Sequence, residues 1–228
     1  KVVCEEYKER YLNQPYEDAM LYLRPLAYKV HPYKWSTIGK NLSHIKNVKL
    51  EDVKKFFKKY YCPANAIMVV AGNISLNEVK KLSKKWFEPI PAGIKLNRKL
   101  PKEPPQKASR NLTLKRKVPA TAIYKSYHAC SRYDKKYYAM DLLSDVLGGG
   151  ESGRLKNELV KKRQLFSSIA AYQTGSYDNG LFIISGKLYK GVSVAEAEEA
   201  VLSELDKIKK YEIPNAELTK VKNQIESS

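Results

Sequence analysis

Apolar residues recur at helical spacing along much of the chain. Val53, Phe56, Phe57 and Tyr60 fall three and four apart and predict a helix over 50–61. Ser75-Leu-Asn-Glu78 is a capping box, with Val79, Leu82 and Trp86 down one face of the helix it opens. Ser193-Val-Ala-Glu196 is a second one, and Val194, Ala197, Val201, Leu205 and Ile208 make its helix amphipathic. The run VVCEEYKERYL is helical in pattern with no start signal before it. Asn13-Gln14-Pro15 interrupts it, because proline breaks the helical hydrogen-bond ladder, and a second helix is expected over 16–28. Helices are also expected over 136–147, over 153–163 and from Pro214 onward.

Strand signals lie between these helices. Residues 66–71, AIMVVA, form a short apolar run closed by Gly72-Asn73 and read as a buried strand. Further strands are expected over 112–118, 122–130, 168–174 and 181–188, with Asp178-Asn179-Gly180 as a hairpin turn between the last two. Strands with grouped helices predict α+β layers. The stretch 89–111 holds five prolines and little apolar periodicity, so it reads as a linker. The expected organisation is a first unit over 1–91, a linker over 92–110 and a second unit over 111–228. The first residue is Lys1, not Met, and no C-cap signal precedes Ser228. Both ends are therefore expected to be cut from a longer protein.

Composition changes this picture little. Hydrophobic residues make up 43% of the 228, enough for real cores and against global disorder. No apolar run approaches the roughly 20 residues of a membrane-spanning helix, and no signal peptide is visible. The net charge of +18 raises an anionic partner. The lysines, however, are spread as doublets such as Lys54–Lys55 and Lys84–Lys85 on the polar sides of helical patterns. Solvated helix faces are the favoured reading, and neither nucleic acid nor membrane is an expected partner. Cys4, Cys62 and Cys130 are odd in number and far apart, which argues against a disulfide framework and fits a reducing compartment. The cytoplasm is accordingly expected over the periplasm.

The candidate chemistry is sparse. Glu5 and Glu6 are adjacent on a helix, so their side chains point about 100° apart and would not share one task. A helix-borne carboxylate facing a cleft can ligate zinc, whereas acidic pairs are usually solvated surface. His128 and Cys130 share a strand face but lack a second pair to complete a metal site. His31 and His44 read as loop and helix-end residues with local hydrogen bonds. Gly148-Gly-Gly150 lacks the phosphate-loop pattern and reads as a flexible turn.

Residues 2–39 resemble the region around the second zinc-binding element of the pitrilysin/insulinase-type zinc metallopeptidases, a family with bacterial and mitochondrial-processing-peptidase-like members. That family holds zinc through an inverted His-x-x-Glu-His motif plus a distant Glu in a pattern like V-V-x-E-E. Val2, Val3, Glu5 and Glu6 match that pattern, so the resemblance makes Glu6 the metal ligand. The match continues through His31-Pro-Tyr33, Ile38-Gly39, Tyr60-Tyr-Cys-Pro-Ala-Asn65 and 66–73. In the second unit, 148–163 is similar to the family's G-G-x-x-S-x-R-L-x-x-x-L-R-x-K-R. The implied fold is α+β, two consecutive partial α/β-sandwich units of this peptidase type.

His-x-x-Glu-His is absent from the chain, since no two histidines are four apart. The family places it upstream. No catalytic residue is therefore expected within this chain, and zinc is expected in the intact protein but not in this part alone. The resemblance implies a metalloendopeptidase that hydrolyses peptides or small proteins in a closed chamber. In such an enzyme zinc acidifies a bound water, whose proton the motif's Glu accepts. The alternative is a non-catalytic structural or assembly subunit of the family. Many members also carry an Arg and a Tyr, seven residues apart, in L-R-x-K-R-G-L-A-Y. Here Val160 and Ser167 stand at those positions. A homo- or hetero-oligomer in which another family subunit supplies the pair is therefore expected, with peptide as substrate.

Overall fold

The computed structural model describes residues 2–227. Its contacts group into two compact units, one formed by the residues through Tyr7 with Val30–Pro104, the other by Lys8–Lys29 with the chain from Pro105 onward.

The second unit holds the main core. Three strands, β1 (Ala122–His128), β2 (Phe166–Gln173) and β3 (Leu181–Leu188), form an antiparallel sheet in the order β1-β3-β2. The central strand is the most apolar, and Phe182, Ile183, Ile184 and Leu188 are all buried. Both its faces are covered, as its near-continuous hydrophobic run requires. Phe182, Ile184 and Leu188 share a core with Phe166, Ile169 and Ala171 of β2, and with Ala197, Ala200 and Val201 of α7 (Val194–Lys210). Helix α6 (Tyr137–Gly148) adds Leu147 to this core. The turn between β2 and β3 forms where Asp178-Asn179-Gly180 predicts it. Leu181 N–H donates to Thr174 Oγ1 at 2.8 Å, and Thr174 N–H to the Leu181 carbonyl at 2.8 Å.

Helix α2 (Ala19–Ala27) lies against β1. Tyr16 precedes it with φ 74, a left-handed value costly for a bulky residue. Its hydroxyl explains the posture: it accepts the Ala120 N–H at 3.0 Å and donates to the Ala120 carbonyl at 2.9 Å. The predicted strand over 112–118 is not formed; that segment has no helix or strand, and Leu112 is exposed. Its apolar residues find no neighbouring strand among the described residues, and a strand needs one to satisfy its backbone.

Both capping serines cap as expected. Ser193 Oγ accepts the Glu196 N–H at 3.1 Å to start α7, and Ser75 Oγ accepts the Glu78 N–H at 3.2 Å to start α5 (Leu76–Phe87).

In the first unit the helices form but bury little. Helix α1 (Val2–Tyr11) buries Cys4 and Tyr7, whereas α3 (Leu42–Asn47), α4 (Leu50–Tyr60) and α5 have no buried residue. The expected buried strand over 66–71 is corrected by the structure. The segment is exposed, with Ile67 at 93% and Val69 at 85%, and no strand pairs with it among the described residues. The stretch read as linker is partly fastened to this unit. Glu103 accepts the N–H groups of Val30 and His31, each at 2.8 Å. Asn65 holds 92–96 in place, accepting the Leu96 N–H at 2.9 Å. Among the described residues no helix is long and apolar enough to cross a membrane.

Candidate metal-binding helix

The V-V-x-E-E segment is helical, as its pattern requires. Cys4 and Tyr7, three apart, form the buried stripe of α1, and Glu5 and Glu6 are both exposed. At 100° per residue each carboxylate lies about 130° from the middle of that stripe, on opposite flanks. The two glutamates are therefore equivalent with respect to burial, and only the sequence register singles out Glu6. A carboxylate on a packed helix is a well-oriented oxygen donor. It is one donor, and the described residues contain no group of three or more His, Cys, Asp or Glu placed to hold a metal ion. A zinc site takes three protein ligands and an open position or four ligands, more than Glu6 alone supplies.

The other candidates have local duties. His31 is buried, its Nδ1 accepts the Tyr33 N–H at 3.2 Å, and its ring meets the Tyr33 ring edge-on at 4.3 Å. His44 sits in the first turn of α3, where its N–H donates to the Asn41 side chain at 3.2 Å. His128 Nε2 lies 2.8 Å from the Ala27 carbonyl oxygen, and its ring tilts against Tyr28. Cys130 lies beyond the end of β1. The three cysteines are free thiols.

The Gly148–Gly150 run is a packing device. A Cβ on Gly148 would come within 2.3 Å of the Ala171 backbone nitrogen, so glycine lets α6 close directly on β2. Gly150, with φ 55, turns the chain out of that contact. The Ser-x-Arg-Leu that follows has a duty that spacing could not reveal. Arg154 makes a two-pronged ion pair with Glu217 of α8 (Asn215–Glu226), at 2.9 and 2.5 Å. Hydrogen bonding from Arg154 holds the Glu217 carboxyl below its ordinary value, and the same bond raises Arg154. The pair joins residues 63 apart in sequence, which no local motif encodes.

Val160 lies in a π-helical segment (Lys156–Lys162) and packs against the core. Ser167 Oγ donates to the Lys187 carbonyl at 3.2 Å. Burial is the main cause raising the Tyr124 and Tyr172 phenols above their ordinary value, so both remain neutral donors at physiological pH.

Residues 47–225 match the family model described as the Peptidase M16 inactive domain. The chain belongs to the M16 peptidase family. It is 36% identical over 230 residues to the zinc protease PqqE of Helicobacter pylori, covering 97% of this chain and 50% of that protein. It is 27% identical over 184 residues to a zinc protease of Streptomyces coelicolor, covering 77% of this chain and 39% of that protein. The chain spans about half the length of the curated relatives it matches. The solved structure of a Helicobacter pylori protease superposes with a TM-score of 0.87 at 32% identity, over 99% of this chain and 55% of the other. An M16 inactive domain from Pseudomonas fluorescens has the same fold, with a TM-score of 0.86 at 23% identity over 100% of this chain and 54% of the other. The α+β fold and the family are thus those the motif resemblance implied.

Proposed function

We propose that this chain is part of a zinc-dependent M16 metalloendopeptidase acting on peptides or small proteins, to which it contributes Glu6 as one zinc ligand. The observation carrying this reading is the exposed Glu6 on a packed helix in the V-V-x-E-E register, in a chain 36% identical to a protein named a zinc protease. The remaining ligands and the general base belong to a His-x-x-Glu-His motif that the chain does not contain. When bound, zinc supplies Lewis acidity and an acidified water. The chain's part is to present a carboxylate from a helix held by Cys4 and Tyr7, which keeps the donor oriented.

The chain by itself is expected to retain no stoichiometric zinc and cleave no peptide, since one carboxylate is too few ligands. In the intact protein, Glu6→Gln should lower zinc retention and peptidase activity by at least about 10-fold, the scale at which even supporting residues of metal sites act. Glu5→Gln should do much less. Metal analysis after dialysis and a peptide-cleavage assay read both. A larger loss from Glu5→Gln would place the ligand one residue earlier.

A non-catalytic subunit is the second reading, favoured by the match to a domain described as inactive. An intact protein that neither retains zinc nor cleaves peptides, yet assembles with an active family member, would establish it.

A further inference from the structure

Asn179 is the one asparagine of the chain that a glycine follows. The side-chain amide of such an asparagine is open to attack by the next backbone nitrogen, because glycine has no Cβ to shield it. Asn-Gly in a hairpin is ordinarily explained by a two-residue turn in which both residues take left-handed φ. That explanation fails here, since neither Asn179 nor Gly180 has a left-handed φ. The strand ladder ends at Gln173 and Phe182, and Thr174 and Leu181 close it, so 175–180 is a longer loop with Asn179 near its far end. Gly180 is needed for a different reason: a Cβ there would lie 2.4 Å from the Thr174 carbonyl oxygen.

The loop places the two reacting groups in an activating setting. Asn179 is exposed, so water reaches its side chain. Gly180 is tied through its carbonyl, which accepts the Ala129 N–H at 2.9 Å, while its own N–H donates to none of the described residues. Tyr28 is 3% exposed, and its hydroxyl donates to the Asn179 carbonyl oxygen at 3.0 Å. That oxygen belongs to the same peptide group as the Gly180 nitrogen. A hydrogen bond to it draws charge from the nitrogen, eases loss of the nitrogen's proton and stabilises the anion left behind.

We propose that Asn179 is a site of self-modification, at which the Gly180 nitrogen displaces the asparagine amide and the Tyr28 hydroxyl activates the attacking peptide group. The nitrogen loses its proton to hydroxide and attacks Asn179 Cγ. The N–Cγ bond forms, the Cγ–Nδ2 bond breaks, and ammonia leaves with a proton taken back from water. The product is a five-membered cyclic imide. Water then opens it at either carbonyl. Opening at Cγ gives aspartate. Opening at the original peptide carbonyl gives isoaspartate, whose main chain runs through Cγ and whose former peptide carbonyl is a carboxylate. The net reaction is amide plus water to carboxylate plus ammonium, with water as the only co-reactant. Isoaspartate lengthens the loop and exchanges the peptide oxygen that Tyr28 holds for a charged group. The proposal stands apart from zinc and peptidase activity.

Peptide mapping of the full-length gene product, held at mildly alkaline pH and sampled over time, tests it. The peptide containing Asn179 should reach the mass of the acid before any other asparagine peptide. Isoaspartate should be its main product, read by methyl transfer from S-adenosylmethionine with protein isoaspartate methyltransferase. The rate should rise with hydroxide, because the attacking nitrogen must lose its proton. Tyr28→Phe should slow conversion in the folded protein by about 2- to 10-fold, the rate equivalent of one hydrogen bond, and leave the rate in urea unchanged. The urea arm also shows the rate an unfolded variant would give. Asn179→Gln should remove the signal at this site. Conversion of other asparagines while Asn179 stays intact would overturn the proposal, as would a product that the methyltransferase does not label. An equal or faster rate in folded Tyr28→Phe would overturn the part given to Tyr28.

Discussion

At the scale of single residues, backbone conformation carries information that side-chain chemistry does not. Gln164 has φ 51, a left-handed value, directly after the π-helical segment. The stop is closed over it, with the Leu165 N–H donating to the Leu159 carbonyl at 2.9 Å and Leu165 buried behind. Helices commonly end this way with glycine at the left-handed position, and the family pattern L-R-x-K-R-G-L-A-Y has glycine there. Glutamine at this place stores about 1 kcal/mol of strain. Gln164→Gly removes that strain but loosens the unfolded chain by about 0.4–1 kcal/mol, so stability should rise by no more than about 1 kcal/mol. Gln164→Val, β-branched, should instead cost about 2 kcal/mol. Urea midpoints of the two variants decide the matter. If valine is tolerated as well as glycine, the left-handed backbone is not held in solution. The helix-borne glutamates show the opposite limit of sequence reading. The helix and the exposure of both carboxylates were legible from VVCEEYKERYL. The choice of Glu6 over Glu5 rests on the V-V-x-E-E register alone, because the two flank the buried stripe symmetrically.

At the scale of elements, helices were legible because their signals are local. Ser75 and Ser193 cap where the sequence places caps, and the β2–β3 hairpin forms around Asp178-Asn179-Gly180. The strands expected over 66–71 and 112–118 did not form, because a strand is completed by its neighbour and the sequence of one strand does not name that neighbour. Long-range ties were also invisible, and Arg154–Glu217 is the clearest. It fastens the start of the π-helical segment to α8, with both side chains mostly enclosed, at 23% and 22% exposure. Its pH dependence follows from the lowered Glu217 carboxyl. A group whose folded value is depressed stabilises the fold above its unfolded value and loses that contribution as pH falls. The tie should therefore be fully present at neutral pH and fade as pH falls below about 4.5, the ordinary glutamate value. Arg154→Gln should cost about 1.5–3 kcal/mol at pH 7, the range for hydrogen bonds to charged groups, and much less at pH 3. Urea unfolding of parent and variant at both pH values measures this. An equal loss at the two would mean that Arg154 acts through packing and not through charge.

At the scale of the whole molecule, the chain lacks the pair of residues that the family resemblance implies for holding substrate. In the family pattern that pair is an Arg and a Tyr; here Val160 and Ser167 stand at those places. Val160 has gone to the core and Ser167 is engaged with the Lys187 carbonyl, so neither is poised to receive a substrate carbonyl. Valine has no donor at all, and a serine hydroxyl has neither the charge of a guanidinium nor the reach of a phenol. Arg163 is a cation nearby in sequence, but it follows the π-helical segment at a neighbouring basic position and does not replace the pair. We propose that the intact protein holds peptide through residues outside this chain, supplied by a family subunit that retains the Arg and Tyr. The intact protein, purified alone with zinc bound, should cleave peptides slowly. Adding a family relative that carries the Arg/Tyr pair but no zinc motif should raise the rate at least about 100-fold, since misplacing a bound substrate by a single ångström can cost that much. The same relative with its Arg changed to Ala should restore much less. Full activity of the protein on its own would remove the need for a partner and place substrate binding in the half of the protein that this chain does not span.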